Sequence, residues 1–536
     1  MSKRFGLMLD MSRNAVMKPD ELKKFAALIK SFGYNMIQLY TEDTYEVDGE
    51  PYFGYMRGRY TQEELCDLVS YCNSIGVELI PCIQTLAHLN QAFFWKKYRD
   101  ICDTGDILLV GDDRTYEFIE NMFKSLRKCF TSEYVHIGMD EAHMLGLGRY
   151  LRRNGLRNRF DILSEHLSKV IEIANKYGFK PMMWSDMFFR LLNNGGYYTT
   201  EDIITDEIVS KCPEGVELVY WDYYHNTRDY YDNMIDQHKK FNNETWFAGG
   251  IWSWTGFTPF NEWSIEAMKV AMESCNEKNI DNIFFTMWGD DGKECSFYSL
   301  LPAIFAIRKM YEGIFDMDTI KKLFREATGE DFDAMMALDI PNFVDGNHGH
   351  DALPSKVMLY NDPMLGIYDS CVTEGVGEEY KAHTKTLYEY AKNSKYAYLF
   401  EFEAALCDVL SVKYELGART RKAYLAGDKD ALRALLDDYA KASELLDVFH
   451  KKYRTLWYKE NKPNGFDVQE LRIGGTMLRL RSSRERIESY LNGEIDALEE
   501  FNEKLLDYHG GVDEFTKKLP STNSFRKSST VNILSW

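Results

Sequence analysis

The sequence predicts an α/β fold, in which a (β/α)8 TIM barrel is followed by an all-α helical C-terminal domain. Over the first 310 residues a short apolar strand that ends in polar or aromatic residues is followed by an amphipathic helix, and this rhythm recurs eight times. Eight β/α units within about 300 residues fit a closed barrel with enlarged loops. After Tyr311 the strands stop, and from Glu378 to Leu506 the pattern is almost entirely helical.

Each predicted strand is an apolar run that ends in polar or aromatic residues. In chain order they are Phe5–Asp10, Met36–Tyr40, Val77–Ile83, Tyr134–Asp140, Pro181–Asp186, Val216–Asp222, Trp246–Trp252 and Asn282–Trp288. The stretches between them repeat apolar residues at i, i+3, i+4 and i+7, which is typical of helices packed on a sheet. The clearest are 21–32, 61–75, 115–130, 159–177 and 262–277.

These patterns divide the chain into three parts. We expect the catalytic barrel over 1–312, a linker and irregular region over 313–375, and a helical domain over 376–536. The middle part contains a stretch rich in Gly, Pro and His, which is typical of loops. Two roles are open for the helical domain: it dimerises the protein, giving a homodimer, or it covers the site.

Charge and cysteine usage exclude several classes of protein. The chain has 64 Lys plus Arg and 84 Asp plus Glu, a net charge of −20, which argues against nucleic acid and anionic membrane surfaces as partners. No apolar run approaches the roughly 18–20 residues of a membrane helix. The start, MSKRFGLMLDMSRNAV, has no apolar signal region, and the ten cysteines are scattered without a C-x-x-C pair. We therefore expect free thiols and a cytoplasmic location.

The sequence predicts no cofactor and no metal. Asp140-Glu141-Ala142-His143 spells the DEAH box of some helicases, but the P-loop that a helicase also needs is missing. H-E-x-x-H does not occur either, and His348 with His350 is weak support for any metal.

Carboxylates and aromatic residues follow the predicted strands, at the end where barrel enzymes place their reactive groups. Aromatic faces stack on the C–H faces of sugars, and carboxylates hold hydroxyls and move protons, so the sequence predicts a sugar site. A lone tryptophan at a strand end is more often a packing residue, and His88 and His136 are equally consistent with core histidines. The candidate site residues are Arg13, His88, Asp140, Glu141, Trp184, Asp186, Trp221, Tyr223, Trp252, Trp254, Trp288 and Asp290.

The fourth predicted strand carries a family signature. Its end, His136-Ile-Gly-Met-Asp-Glu141, resembles the H-x-G-x-D-E motif of glycoside hydrolase family 20, the β-N-acetylhexosaminidases. Asp10 to Arg13 is similar to that family's D-x-x-R, and Pro81 to His88 is similar to its P-E-I-D-x-P-G-H segment. Trp288-Gly289-Asp290 resembles its W-x-E, with Asp in place of Glu. The sequence outside these motifs also resembles a bacterial intracellular subgroup of this family, typified by the pneumococcal enzyme.

The resemblance implies an exo-β-N-acetylhexosaminidase acting on small glycans with terminal, non-reducing β-linked GlcNAc or GalNAc. Its mechanism would be retaining and substrate-assisted, with the substrate's acetamido oxygen as nucleophile and an oxazolinium intermediate. Glu141 would then be the general acid and base, and Asp140 would orient the acetamido group. Tyr223 is the candidate donor to the acetamido oxygen. The candidate pocket walls are Trp184, Trp221, Trp252, Trp254 and Trp288, and Arg13 and Asp290 would hold hydroxyls.

The sequence departs from the family pattern at strand three, where Gln84 replaces the expected Asp. Two alternatives therefore stay open. One is another retaining β-glycosidase with a protein carboxylate as nucleophile, with Asp186 and Asp222 as candidates. The other is a non-catalytic sugar-binding barrel.

Overall fold

The computed structural model describes residues 4–347, 353–511 and 519–528. His348 and His350 lie outside the described residues. The chain forms two compact units. The first consists of Met1–Trp252, Glu262–Gly289 and Ala303–Ala327, and the second consists of Ser253–Asn261, Asp290–Pro302 and Thr328–Trp536.

The first unit contains a closed parallel barrel of eight strands, which confirms the predicted fold class. The barrel order is β1-β10-β9-β8-β7-β6-β3-β2, and β4 and β5 form a separate antiparallel pair that the sequence analysis missed. The strands are β1 Arg4–Asp10, β2 Met36–Tyr40, β3 Glu78–Cys82, β4 Cys102–Thr104, β5 Ile107–Leu108, β6 Tyr134–His136, β7 Lys180–Trp184, β8 Glu217–Trp221, β9 Thr245–Gly250 and β10 Asn282–Met287.

Helices follow the barrel strands, and local sequence explains where they begin. Thr61 and Glu64 form a capping box at the start of α2, Gln62–Ser74. The Asp112 side chain accepts a hydrogen bond from the Arg114 N–H at the start of α4, Asp113–Arg127. The first twelve α-helices are α1 Pro19–Phe32, α2 Gln62–Ser74, α3 Asn90–Phe93, α4 Asp113–Arg127, α5 Arg149–Asn154, α6 Arg159–Lys176, α7 Asp186–Arg190, α8 Asp206–Lys211, α9 Arg228–His238, α10 Asn261–Glu277, α11 Leu301–Tyr311 and α12 Met317–Thr328. Short 3-10 helices span Lys96–Ile101 and Phe297–Leu300.

The second unit is helical, in agreement with the predicted all-α C-terminal region. Its α-helices are α13 Phe332–Met336, α14 Pro354–Tyr360, α15 Val376–Ala391, α16 Ala397–Lys413, α17 Leu416–Leu425, α18 Lys429–Glu460, α19 Phe466–Leu491 and α20 Phe525–Ser528. Its 3-10 helices from Ala337 onward are Ala337–Asn342, Asp369–Cys371, Glu499–Phe501 and Thr522–Ser524. The long helices pack in consecutive pairs, α15 on α16 and α18 on α19, and α16 also packs on α18.

The segment predicted as a linker, 313–375, contains helices α12, α13 and α14. Apolar side chains explain these helices, because Ile320, Phe324 and Val357 are fully buried and helices are the local way to bury them. The domain limits 1–312, 313–375 and 376–536 stay predictions.

The predicted fourth strand is shorter than expected. It was predicted to run from Tyr134 to Asp140, but β6 ends at His136. The backbone then turns, because Gly138, Met139 and Glu141 all adopt positive φ. The Asp–Glu pair therefore lies on a left-handed turn beyond the strand.

The expectation of ten free thiols is wrong for one pair. Cys66 and Cys129 form a disulfide, with their Cα atoms 4.4 Å apart. The two cysteines are 63 residues apart in sequence, so no local pattern indicates this contact. In the described residues, no helix is long and apolar enough to cross a membrane.

Candidate active site

The site begins with the turn that follows β6. Gly138 has φ +69°, Met139 +72° and Glu141 +51°. A Cβ on Gly138 would lie 2.0 Å from the Gln84 Oε1, so only glycine lets the backbone pass this side chain. The turn carries Asp140 and Glu141 past the strand end and gives the two neighbours different surroundings.

Asp140 is held by two side chains. The Gln84 amide donates to Asp140 Oδ1 at 2.9 Å, and His88 Nε2 lies 3.1 Å from Asp140 Oδ2. Burial would raise the pKa of this carboxyl, but the charge of His88 and the hydrogen bonds from His88 and Gln84 lower it to about 2. Asp140 is therefore an anion at neutral pH.

His88 is the cation of this pair. Burial would lower its pKa, but the charge and hydrogen bond of Asp140, with the charge of Glu42, raise it to about 9. The backbone of His88 has φ +57°, and its N–H donates to Asp106 Oδ2 at 2.9 Å. The imidazolium also lies 3.9 Å from Glu141 Oε2, so it faces both carboxylates.

Glu141 differs from Asp140 in exposure: its side chain is 42% exposed, whereas that of Asp140 is 14% exposed. Its backbone N–H donates to Asp186 Oδ2 at 3.1 Å. Its carboxylate oxygen Oε1 accepts a hydrogen bond from Arg190 Nη2 at 3.3 Å. The proton-transfer candidate is thus fixed through its backbone while its carboxyl stays open to solvent.

Asp186 links Glu141 to Arg190. Besides the Glu141 N–H, its Oδ2 accepts the Arg190 Nε–H at 2.8 Å. Its Oδ1 is buried and has no hydrogen-bond partner among the described residues. Burial and the neighbouring charge of Asp140 raise the pKa of Asp186 to about 7, against the lowering effect of Arg190.

Asp222, the other candidate nucleophile, is occupied by its neighbours. Its carboxylate accepts from the Tyr220 hydroxyl at 2.8 Å, from the Tyr224 N–H at 3.1 Å and from His225 Nδ1 at 2.8 Å. This arrangement holds the chain after β8 and leaves the carboxylate fully buried.

Arg13 joins the site through a chain of polar contacts. Its Nε donates to Glu42 Oε1 at 3.0 Å, and Glu42 Oε1 also accepts from the Tyr40 hydroxyl at 3.2 Å. The same hydroxyl accepts from Gln84 at 3.0 Å, which leads back to Asp140. The ends of β1, β2, β3 and β6 are therefore connected by one hydrogen-bond network.

Aromatic rings form the buried side of the site. Trp184 packs against Trp288 at 5.9 Å between ring centroids, and Trp288 meets the Tyr40 ring edge-on at 4.8 Å. The His136 ring lies 4.4 Å from that of Trp184, tilted by 51°, and burial lowers the pKa of His136 to about 3, so it is neutral. His136 therefore contributes no charge to the site.

A second aromatic group contains Trp221, Tyr223 and Trp252. Trp221 and Tyr223 stack at 5.2 Å, and the Trp252 indole N–H donates to the Tyr223 carbonyl at 3.0 Å. The Tyr223 hydroxyl is hydrogen-bonded by Thr286 and Trp288, and burial raises its pKa well above the usual range. The hydroxyl therefore stays protonated beside the tryptophan pocket.

The predicted site residues thus divide into two sets. The structure brings Arg13, His88, Asp140, Glu141, Trp184, Asp186, Trp221, Tyr223, Trp252 and Trp288 together in the first unit through the contacts above. Trp254 and Asp290 belong to the second unit, and their part in the site stays a prediction.

The candidate site residues did not include Arg190 or Glu42. Both follow barrel strands, and Arg190 lies four residues after Asp186, the helical spacing of an ion pair. That spacing was the available signal. Gln84 was noticed only as a departure from a pattern, whereas the structure uses it as a hydrogen-bond donor to Asp140.

The molecule belongs to the class of closed β/α barrels whose strand ends gather adjacent carboxylates, a histidine and aromatic side chains. Within that class, residues 5–206 match the catalytic domain of glycosyl hydrolase family 20, and residues 330–519 match the Glycoside Hydrolase 20C C-terminal domain. The chain carries a family 20 catalytic domain followed by a 20C C-terminal domain.

Curated relatives share only part of their length with this chain. A beta-hexosaminidase of Akkermansia muciniphila is 26% identical over 36% of this chain and 45% of its own. One of Porphyromonas gingivalis is 24% identical over 34% of this chain and 28% of its own. The chain therefore spans less than half the length of these relatives.

Solved structures give a weaker likeness. A beta-N-acetylhexosaminidase from Bacteroides fragilis is similar with a TM-score of 0.46 and 18% identity, covering 61% of this chain and 70% of that one. An exo beta-N-acetylglucosaminidase from Vibrio harveyi gives 0.47 and 15%, covering 61% and 56%.

Proposed function

We propose that this chain is an exo-β-N-acetylhexosaminidase, which hydrolyses terminal, non-reducing β-linked GlcNAc or GalNAc with retention at C1. The observation that carries the proposal is the Asp140–Glu141 turn. It places an anion that is only 14% exposed beside a carboxyl that is 42% exposed, and these are the two groups that substrate-assisted hydrolysis requires. The family 20 catalytic domain and the names of the relatives support the same activity.

In the first step the substrate's acetamido oxygen attacks C1, and Glu141 gives its proton to the leaving glycosidic oxygen. This forms an oxazolinium ion and frees the aglycone. In the second step water attacks C1, the bond from C1 to the acetamido oxygen breaks and restores the acetamido group, and Glu141 takes the proton of that water. The 42% exposure of Glu141 leaves room for the leaving group and then for water.

Asp140 accepts a hydrogen bond from the acetamido N–H and offsets the positive charge that develops on the oxazolinium ion. It can do this only as an anion. The pKa of about 2, held down by His88 and Gln84, supports that state. The donors also fix its orientation before the substrate arrives, so little reorganisation is needed in the transition state.

The remaining roles follow from the same arrangement. Trp184, Trp221, Trp252 and Trp288 wall the acetamido pocket, with Trp254 as a further candidate from the second unit. Tyr223 donates to the acetamido oxygen, supported by its protonated hydroxyl beside Trp288. Arg13, together with Asp290, holds sugar hydroxyls.

The first test compares p-nitrophenyl β-GlcNAc with p-nitrophenyl β-glucoside. Only the first supplies an acetamido nucleophile, so we expect it to be cleaved far faster. Equal cleavage of both would instead favour a protein carboxylate as nucleophile. The structure supports the acetamido group instead, because Asp222 is engaged in three hydrogen bonds and the pKa of Asp186 is raised. No cleavage of either would favour a non-catalytic sugar-binding barrel.

Location, assembly and subgroup are further proposals. We propose a cytoplasmic protein, supported by eight free cysteines in the described chain, although oxidising compartments favour a bond such as Cys66–Cys129. Cell fractionation tests the location. The homodimer and the placement in the pneumococcal subgroup stay predictions, and sedimentation of the purified protein tests the first.

A further inference from the structure

The loops that follow β2 and β3 carry a group of four aromatic side chains, three exposed and one partly buried, that the proposed mechanism does not use. We call Tyr52, Tyr55, Phe94 and Trp95 the aromatic platform. The Trp95 ring lies 5.2 Å from that of Tyr52, 5.6 Å from that of Tyr55 and 5.2 Å from that of Phe94. Tyr52 and Tyr55 are each 45% exposed, and Phe94 is 71% exposed. Contiguous exposed rings of this kind mark binding surfaces more often than single exposed residues do.

The platform encloses part of a cavity of about 450 Å³ lined by Tyr52, Phe94, Trp95, Lys96 and Lys97. This volume lies in the range of small-ligand sites. Rings with a flat apolar face and a polar edge suit the C–H face of a pyranose, and the lysine ammonium groups can donate to its hydroxyls.

The surrounding residues hold the platform in place. Lys97 Nζ lies 2.5 Å from Glu50 Oε2 and donates to the Gly49 carbonyl at 2.8 Å, so it joins the β3 loop to the β2 loop. Next to Tyr52, Phe53 is fully buried and packs on Phe118 with ring centroids 5.5 Å apart. A surface fixed in this way loses little conformational freedom when it binds a ligand.

The same two loops begin inside the carboxylate site. The β2 loop starts with Glu42, which contacts Arg13, and the β3 loop contains His88, which contacts Asp140. Because β3 pairs with β6 in the barrel, the β3 loop lies beside the turn that carries Glu141. Glu141 is also the carboxyl that is open to solvent, and its Oε2 lies 3.9 Å from His88 Nε2 of the β3 loop.

We propose that the aromatic platform binds the saccharide that leaves, so that the enzyme selects glycans whose terminal N-acetylhexosamine is attached to a further sugar. This inference rests on the proposed function. The platform stacks on a sugar ring of the aglycone. It therefore raises kcat/KM only for substrates whose leaving group is a saccharide.

The test measures kcat/KM on two substrates of the same terminal sugar. The first is a trisaccharide of GlcNAc β-linked to lactose, and the second is GlcNAc β-azide, whose leaving group is too small to reach a stacking surface. In the double variant Tyr52→Ala/Trp95→Ala we expect the ratio of the first value to the second to fall roughly tenfold, mainly through KM. The variant Tyr52→Phe/Trp95→Phe keeps the ring faces and should keep most of the ratio.

Tyr390→Ala is the matched control, because Tyr390 is an exposed aromatic residue on α15, 37% exposed, and it should leave both values unchanged. An unchanged ratio in the double alanine variant, or an equal loss on both substrates, would overturn the proposal. A change in oligomeric state on sedimentation would also overturn it, because the platform would then be an interface between copies.

A direct binding measurement separates this inference from the proposed function. In the Glu141→Gln background, lactose binding is followed by saturation-transfer NMR with and without Tyr52→Ala/Trp95→Ala. Loss of the lactose signal in the triple variant supports the platform even if the wild type cleaves no N-acetylhexosaminide. A signal of equal size in both proteins overturns it even if the wild type is active.

Discussion

At the scale of single residues, environment rather than residue type separates the two neighbouring carboxylates. Asp140 has a charge partner and an amide donor, and its pKa falls to about 2. Glu141 keeps an open carboxyl, with Arg190 at 3.3 Å and His88 at 3.9 Å. Two adjacent acidic residues can therefore take different roles in one reaction.

Replacing Glu141 by Gln removes the transferable proton but keeps the shape of the side chain. We expect turnover of glycans to fall by roughly 10²–10⁴-fold, and turnover of activated aryl glycosides to fall much less, because a good leaving group needs little acid help. Steady-state kinetics on both substrate types measure the difference. An equal loss on both would argue against Glu141 as the acid.

Replacing Asp140 by Asn removes the charge that compensates the oxazolinium ion. The loss should appear mainly in kcat, because this interaction strengthens in the transition state. A cyclic thiazoline that mimics the oxazoline should inhibit the wild type strongly and Asp140→Asn much more weakly. Equal inhibition of the two proteins would contradict substrate assistance.

His88 sets the pH range of the pair. Its folded-state pKa of about 9 lies above the unfolded value of roughly 6.5. The contribution of His88 to the stability of the fold is therefore complete below about pH 6.5, and it is lost as pH rises through about 9. The Asp140 pKa is lowered, so its stabilisation is lost as pH falls through about 2.

In His88→Gln the charge that lowers the Asp140 pKa is gone, and burial should raise that pKa. We therefore expect the acid limb of the kcat profile to move to higher pH. The profile on an activated aryl glycoside measures the shift, because this substrate depends little on the general acid. An acid limb that stays in place would mean that His88 does not control Asp140.

At the scale of structural elements, the turn after β6 decides where the carboxylates point. A strand that continued to Asp140 would place successive side chains on opposite faces of the barrel wall. The left-handed turn at Gly138, Met139 and Glu141 instead lets both carboxylates contact His88.

Gly138→Ala tests this turn. The alanine Cβ would lie 2.0 Å from Gln84 Oε1, so Gln84 must move and Asp140 loses its amide donor. Gly178→Ala is the matched control, because Gly178 also has φ +69° but has no atom within 4 Å of its Cβ position. The control should cost roughly 1–2 kcal/mol of stability through φ alone.

We expect Gly138→Ala to lose more stability than Gly178→Ala in denaturant unfolding, and in addition to lower kcat, which the control should not change. Equal unfolding free energies and equal kcat values for the two variants would show that the contact with Gln84 does not matter.

At the scale of the whole molecule, the Cys66–Cys129 disulfide joins α2 to the segment after α4. Thiol titration of the denatured, unreduced protein should find eight thiols, and ten after reduction. Ten thiols without reduction would mean that the bond does not form in the isolated protein. A Cys66→Ser variant, in which Cys129 is free, should titrate nine in either condition.

Local sequence patterns were sufficient to predict much of the fold of this protein. The eight strands, five of the helices between them and the helical C-terminal region could be predicted from the sequence, because hydrophobic period acts over neighbouring residues. The polar residues after the strands were also predicted to lie close together, since parallel strands bring their carboxyl ends to one edge.

Only the tertiary structure decided which partners these residues have. Gln84 and His88 reach Asp140 from 56 and 52 residues away, and Cys66 meets Cys129 across 63 residues. The helices α12 to α14 form in the predicted linker because packing buries their apolar side chains. The sequence by itself determined the barrel and its acidic pair, because both depend on local period and on strand ends. The charge states and orientations of that pair depend on contacts between distant segments, which no local pattern encodes.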